Sequence, residues 1–330
     1  RLTACYGLQM SLVQIAPSVR AAIVGLVEGS KVTNAAQSLS AGYRDQPGHA
    51  VLLNDSGKRA YLAARLPATY AAIFRALQRS AEMGLDVIDS VLDAGCGPGT
   101  ASLAATEIWP DIASVTRSDL DGSWRPIAEA LGGASGYPAL TRGRWLTGSL
   151  ESTAYPTHDL VMAAYTLNEI PAERRAAATA NLWRAAGKAL ILIEPGTPQG
   201  FLNVRAARAL LIENGAQIAA PCPHHAACPM SETDWCHASV RLARDPLHRA
   251  AKGGQLPYED EKFAYLCALR SAPLRRPASR IVKRPVAHTG HLTLDLCGAG
   301  GLTRTTISRR DGALYKAARK AEWGDGWPPD

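Results

Sequence analysis

Residues Ser90 to Thr100 read SVLDAGCGPGT, a short aliphatic strand that runs into three glycines at alternate positions and then into a helical segment. Glycine lets a chain turn sharply from strand into helix, and it brings a bound group close to the amides at the helix start. A glycine triplet also serves tight strand-to-helix packing with no ligand at all, so its setting has to carry the argument. The block ends the first of a series of aliphatic strands. Asp119 ends the second, where an acid can hold ribose hydroxyls.

Working outward, aliphatic strands alternate with helical segments from Val87 onward: DVIDSVLDAG, DIASVTRSD, GRWLTGSL, THDLVMAAYT and GKALILIEPG, with the helical PAERRAAATANLWRAAG before the last. Five strands in this order predict an α/β fold with a doubly wound parallel sheet. Before them, apolar residues at three and four spacing in SLVQIAPSVRAAIVGLV and RAYLAARLPATYAAIFRAL predict a helical N-terminal region, with Pro67 starting or kinking a helix. A turn-rich stretch, SAGYRDQPGHAVLLNDSGK, separates the two. Towards the end, EDEKFAYLCALR reads as a helix, and HLTLDLC and GLTRTTISRR around GAG predict a hairpin. The chain divides on this reading into 1–85, 86–220 and 221–330.

The composition, 330 residues with 47% apolar, excludes a disordered or fibrous protein. No run approaches the roughly 18 to 20 consecutive apolar residues of a membrane span. RLTACYGLQM lacks the apolar core and cleavage site of a secretory signal, and Met10 offers a native start. Seven cysteines, unevenly spaced, fit a reducing compartment better than a disulfide framework. The expected setting is bacterial cytoplasm, with the mitochondrial matrix as the alternative.

DAGCGPG, with an acid two residues before the first glycine, resembles motif I of class I methyltransferases. The resemblance implies S-adenosylmethionine held by Asp93, Gly95, Gly97, Gly99 and Asp119, with Gly148 and Ser149 near the adenine and Asp121 as the substitute for Asp119. GxGxxG is not met, because Thr100 and Ala101 follow Gly99. The catalytic residue stays unknown: AAYTLNEIP after the fourth strand offers Tyr165, Asn168 and Glu169, without the Pro-Pro-aromatic sequence of amino-methylating enzymes. Asn168 and Glu169 serve equally as caps for the next helix, with Pro171 at its start.

PCPHHAACPMSETDWC, Pro221 to Cys236, spaces Cys222, Cys228 and Cys236 as C-x5-C-x7-C among prolines. Thiolates converging from a short irregular loop hold zinc or an iron-sulfur cluster. A cytosine-methylating nucleophile at Cys222 would leave the other two unexplained. Cys297, at a strand end beside glycines, is the best fourth ligand, whereas Cys267 suits a core. His224, His225 and His237 keep a zinc site of three cysteines and one histidine open.

The run PCPHHAACPMSETDWCHASVRLARDPLHRAAKGGQLPYEDEKFAYL, together with AYLAARLPATYAAIFRAL, SVLDAGCGPGTA, MAAYTLNEIP and LIEPGTPQGF, resembles the methyltransferase-like protein 17 / Rsm-twenty-two family of small-ribosomal-subunit assembly factors. The likeness runs from about Leu39 to Trp327. It implies a class I methyltransferase-like (Rossmann-like) sheet and a [4Fe-4S] cluster on Cys222, Cys228, Cys236 and, about sixty residues on, Cys297. It also implies contact with small-subunit rRNA and neighbouring ribosomal proteins. Asp119 departs mildly from the Glu that bacterial relatives tend to carry, and the family has no firmly known catalytic residue.

The charge is uneven. Lys and Arg number 36 against 29 acids, yet Tyr265 to Lys320 holds twelve of the bases and two acids, so the excess is local. A local excess of this kind is the footprint of a polyanion partner. Arg275, Arg276, Arg280, Lys283, Arg284, Arg304, Arg309 and Arg310 are the expected RNA contacts, with Arg304 on the exposed face of the hairpin. Tyr315, Trp323 and Trp327 either stack on bases or pack the terminus down. The expectation is an rRNA-binding assembly factor with a [4Fe-4S] cluster, monomeric off the ribosome and away from membranes. An active S-adenosylmethionine-dependent rRNA methyltransferase and a zinc-containing small-molecule methyltransferase are the alternatives.

Overall fold

The structure, a computed structural model, describes residues 13–29, 53–231, 233–253 and 255–329; Cys5, Met10 and most of the turn-rich stretch before Asp55 lie outside them. Three helices lead: α1 (Pro17–Val27), α2 (Asp55–Ala64) and α3 (Leu66–Ala81). Asn54 caps α2 by accepting the Gly57 N–H at 2.9 Å, and Pro67 lies in the first turn of α3, as expected. Then follow β1 (Ser90–Ala94), α4 (Thr100–Ile108), β2 (Ser114–Asp119), α5 (Arg125–Ser135), α6 (Pro138–Thr141), β3 (Arg144–Thr147) and β4 (His158–Ala164). The next elements are α7 (Arg175–Ala185), β5 (Ala186–Pro195), α8 (Pro198–Glu213) and β6 (Gln217–Ala220).

β1 pairs in parallel with β2 and β4, β2 with β3, and β4 with β5. All five expected strands are present, and they build the expected class I methyltransferase-like (Rossmann-like) sheet. The strand order β3-β2-β1-β4-β5 reverses direction between β1 and β4, the switch point outside which such sheets bind ligands. The central strands β1, β4 and β5 read as apolar blocks because both faces are covered. Val91, Leu160, Met162, Ile191 and Ile193 pack on one face with residues of α1 to α6. Leu92, Val161, Ala163, Leu190 and Leu192 pack on the other with α7 and α8. The N-terminal helices therefore share a core with the sheet.

β7 (Ala238–Ala243), α9 (Pro246–Lys252) and β8 (Tyr258–Leu269) come next, and they extend the same sheet. EDEKFAYLCALR is thus a strand rather than the expected helix. Its second half is buried on both faces and between neighbours on both edges, and such a run has no period by which to tell strand from helix. One edge of β8 pairs antiparallel with β5, from Phe263↔Pro195 to Leu269↔Ala189. The other edge takes β7, ending at Phe263↔Ala238, and β6, at Cys267↔Ala220.

The C-terminal part is a second sheet of β9 (Ser279–Ile281), β10 (Val286–His288), β11 (His291–Gly298), β12 (Gly301–Ser308) and β13 (Gly326–Trp327), with α10 (Ala313–Ala318). The expected hairpin is β11–β12, in register from His291↔Ser308 to Gly298↔Gly301. Ile281, Leu294, Ile307 and Trp327 form its core, with Tyr315 packed against it. Trp327 therefore packs the terminus down. Among the described residues no helix is long and apolar enough to cross a membrane.

Phe263 is fully buried where β5, β7 and β8 meet. Phe263→Ala is expected to lower the unfolding free energy by about 3–5 kcal/mol in urea denaturation; a loss below about 1 kcal/mol would show that this junction does not hold the sheet.

Candidate functional site

The glycine block turns at the carboxyl end of β1. Gly95, Gly97 and Gly99 have φ of +70°, +50° and +82°, a region that side chains with a Cβ rarely enter. A Cβ on Gly95 would stand 2.1 Å from Thr166 Cγ2, whereas one on Gly97 would meet nothing within 4 Å. Gly97 lines a cavity of about 960 Å³. The N–H groups of Gly95 and Cys96 both donate to the Ser118 carbonyl, at 2.7 and 2.9 Å, and Gly99 caps α4.

Asp119 closes the turn by accepting the Gly97 N–H at 2.7 Å and the Asp121 N–H at 2.9 Å, one on each oxygen. Each oxygen keeps acceptor capacity towards the cavity. Asp93 also lines the cavity, but it is 1% exposed and accepts the Ser102 N–H and hydroxyl at 2.8 and 2.6 Å. Burial raises its carboxyl to about 6. Asp93 thus ties strand to helix. Ser149 lines the cavity; Gly148, beside it, packs against Thr153 and donates its N–H to the Asp119 carbonyl at 3.1 Å. Asp121 sits 3.4 Å from the buried Lys58 ammonium.

The far wall comes from segments distant in sequence: Tyr61 and Arg65 from the N-terminal helices, Trp124, Tyr165 and Glu169, and Glu261 from β8. Tyr61, Arg65 and Glu261 carry no local signal, since only the packing of α2, α3 and β8 brings them here. Tyr165 is the one non-glycine residue with positive φ, +61°, among the described residues. Its hydroxyl donates to Glu261 Oε1 at 3.3 Å, which Arg65 also reaches at 3.4 Å. Glu194, fully buried, accepts the N–H groups of Leu167 and Asn168 at 2.9 and 3.0 Å and so shapes the turn that carries Glu169. Burial, then the nearby charges of Asp119 and Glu194, push the Glu169 carboxyl up to about 8.

Cys222, Cys228, Cys236 and Cys297 line a second cavity, of about 640 Å³, and Cys267, fully buried in β8, does not. The cysteine loop comes after β5, with α8 and β6 between them. β6 and β7 share one edge of β8, so residues 221–237 form an excursion that leaves the sheet and rejoins the same edge. Arg208 holds the loop by donating to the His224 and Ala226 carbonyls at 2.7 and 2.9 Å, and Trp235 by donating to the Gly196 carbonyl at 3.0 Å. Cys297, on β11, places Sγ 3.6 Å from His224 Nε2. Burial raises the Cys222, Cys236 and Cys297 thiols, Cys297 to about 11, so without a bound cation they stay protonated.

Among the described residues no three His, Cys, Asp or Glu side chains stand close enough to hold a metal ion, so the sulfurs share a wall without closing on one centre. The surroundings nonetheless fit an anionic group. Arg208 Nε and Arg280 Nε and Nη2 are buried without a partner, and both residues line this cavity. Buried N–H groups of this kind are costly unless something accepts from them.

A sequence profile described as mitochondrial small ribosomal subunit Rsm22 matches residues 56–328. The chain belongs to the Rsm22 family. It is 28% identical over 288 residues to the human ribosome assembly protein METTL17, mitochondrial, an overlap covering 80% of this chain and 61% of that protein. It is 25% identical over 348 residues to the Rsm22-cox11 tandem protein 2, mitochondrial, of Schizosaccharomyces pombe, covering 88% and 45%. The chain therefore spans only part of the length of either relative. Similar solved structures include magnesium protoporphyrin IX methyltransferase from Synechocystis with bound SAM, at TM-score 0.41 and 16% identity over 80% of this chain and 100% of that one. Another is a putative RNA methyltransferase from Pyrococcus horikoshii, at TM-score 0.41 and 13% identity over 73% and 98%.

In this Rsm22-family chain the basic residues divide. Arg280 is 4% exposed and lines the cysteine cavity, which corrects its expected place among the RNA contacts: β9 lies between β11 and β13 and turns the side chain inward. Lys283 pairs with Asp234 at 2.9 Å, and Arg304, on the exposed face as expected, pairs with Asp295 at 2.8 Å. Arg276 donates to the Ile218 carbonyl at 3.3 Å. Arg275, Arg276, Arg284, Arg309 and Arg310 are exposed. Trp323 meets His237 edge-on at 4.7 Å.

A carboxyl raised in the folded state binds more protons there than in the unfolded chain, so its contribution to stability is full below the unfolded value of about 4.5 and is lost as pH rises through about 8. Glu169→Gln is therefore expected to raise the thermal midpoint at pH 8.5 relative to the parent and to leave it nearly unchanged at pH 4, both read by circular dichroism. Equal shifts at the two pH values would count against a raised Glu169.

Proposed function

We propose that this chain is an assembly factor of the small ribosomal subunit that contacts rRNA and holds a [4Fe-4S] cluster on Cys222, Cys228, Cys236 and Cys297. The carrying observation is that these cysteines, from one loop and one distant hairpin strand, line a single cavity ringed by unpartnered buried N–H groups. The Rsm22 family match supports the ribosomal role, as does the description of the human relative as a ribosome assembly protein. Both relatives are described as mitochondrial, which favours the matrix over the bacterial cytoplasm. The cluster's part is structural: cysteine ligation ties the 221–237 excursion to β11 and so orders the adjoining basic face. Exposed Arg275, Arg284, Arg309 and Arg310 meet phosphates there, a contact that positions rRNA without reading its sequence.

The glycine-loop cavity takes S-adenosylmethionine, which supplies an electrophilic methyl group when bound. Asp119 accepts its ribose hydroxyls, Gly97 lets the ligand approach the backbone, and Ser149 lies towards the base. A second reading, an active rRNA methyltransferase, is favoured by the strained Tyr165 and the raised Glu169 on the wall facing the glycine loop. Mapping rRNA methylation with and without the gene separates it from an assembly role alone.

Anaerobically purified protein is expected to be brown, with a broad band near roughly 400 nm from thiolate-ligated iron, and Cys297→Ser to lose most of that band. A colourless, zinc-bearing parent protein would refute the cluster. In filter binding to a small-subunit rRNA fragment, Arg309→Ala with Arg310→Ala is expected to flatten the plot of log affinity against log salt by about 2. An unchanged slope would remove these residues from the interface.

A further inference from the structure

Arg280 is a permanently charged group in an interior that offers it little. Its backbone stands opposite Cys297 of β11 on one side and Gly326 of β13 on the other. Nη1 donates to the Gly324 carbonyl at 2.8 Å, while Nε and Nη2 are buried with no partner. Asp325, next along the chain, is already engaged by Arg79 at 2.6 Å. A guanidinium cannot shed its charge at any pH the fold survives, so only an anion or an acceptor relieves its burial.

Arg208 poses the same problem from α8. It is 6% exposed, its Nη2 is used on the loop carbonyls, and its Nε is buried and unpartnered. Both arginines line the cysteine cavity.

We propose that Arg280 and Arg208 are positioning residues for the cysteine-held cluster, their unpartnered N–H groups donating to its sulfurs and their charges offsetting its negative charge. The inference rests on the cluster reading above. A four-thiolate cluster is anionic and becomes more so when it gains an electron. Donors and positive charge beside its sulfurs therefore favour the reduced state and raise the reduction potential, strongly so in a poorly screened interior. The inward turn of Arg280 then has a reason that RNA contact does not supply.

The test is a dithionite titration of the anaerobic full-length protein with redox mediators, followed at the 400 nm band alongside iron and sulfide content. Arg280→Met is expected to load iron at near the parent level but to shift the midpoint downward by at least tenfold in the equilibrium, about 59 mV for one electron. A parent-like midpoint at parent-like iron content would overturn the inference and leave the cluster standing; a parent protein without iron would refute the cluster reading, and the inference with it. If Arg280→Met does not fold, Arg280→Lys decides. It keeps charge but loses the fork, and a midpoint and air lifetime both equal to the parent's would overturn the role of the N–H donors.

Discussion

The backbone ladder along β8 is the constraint on which the two cavities depend. One edge of this strand pairs with β5, the last parallel strand, and the other takes β7 and β6, with the cysteine loop thrown out between them. Asp260, Glu261 and Lys262 of β8 line the glycine-loop cavity, and Asp260 and Phe263 to Leu266 line the cysteine cavity. Hydrogen bonds shared along both edges set β8 rigidly, so a strand with no ligand of its own places both walls. The Trp235 bond to Gly196 adds a second link, because Gly196 belongs to the glycine-loop cavity and Trp235 precedes Cys236.

Each cavity places charge where water is scarce, and the signs are opposite. The glycine-loop wall gathers Asp119, Glu169 and Glu261, with Glu194 behind the turn, and part of this charge is held back by protonation. Such a wall suits a cationic ligand and repels a phosphate backbone. The cysteine cavity instead carries buried guanidinium N–H groups without acceptors, which suits an anion. By contrast, Glu259 of β8 is matched within the chain, held below its usual range by His248, Lys252 and Arg244 against the effect of burial.

Much of the sheet was legible because a parallel sheet covered on both faces writes itself as aliphatic blocks between helical segments, and β1, β4 and β5 do so. The glycine turn was legible too, since positive φ at Gly95, Gly97 and Gly99 leaves few residue types usable. β8 was not. FAYLCAL is apolar at every position, and only its neighbours on both edges make it a strand. Cys297 announced itself by its glycines and by family likeness, yet its place on one cavity with Cys222, Cys228 and Cys236, some sixty residues and more earlier in the chain, is set only by folding.

The sequence by itself determined what is local: the strand-turn-helix of the glycine block, the alternation that makes the hairpin, the irregular cysteine loop and the concentration of base near the end. Tertiary structure alone decided what each charged side chain faces. Arg280 counts as one more cation in a basic tail, and Arg65 and Glu261 as ordinary polar residues, until strand pairing and helix packing turn them into a cavity. Backbone periodicity is set by near neighbours along the chain, whereas the environment of a charge is set by groups that only folding brings within a few ångströms.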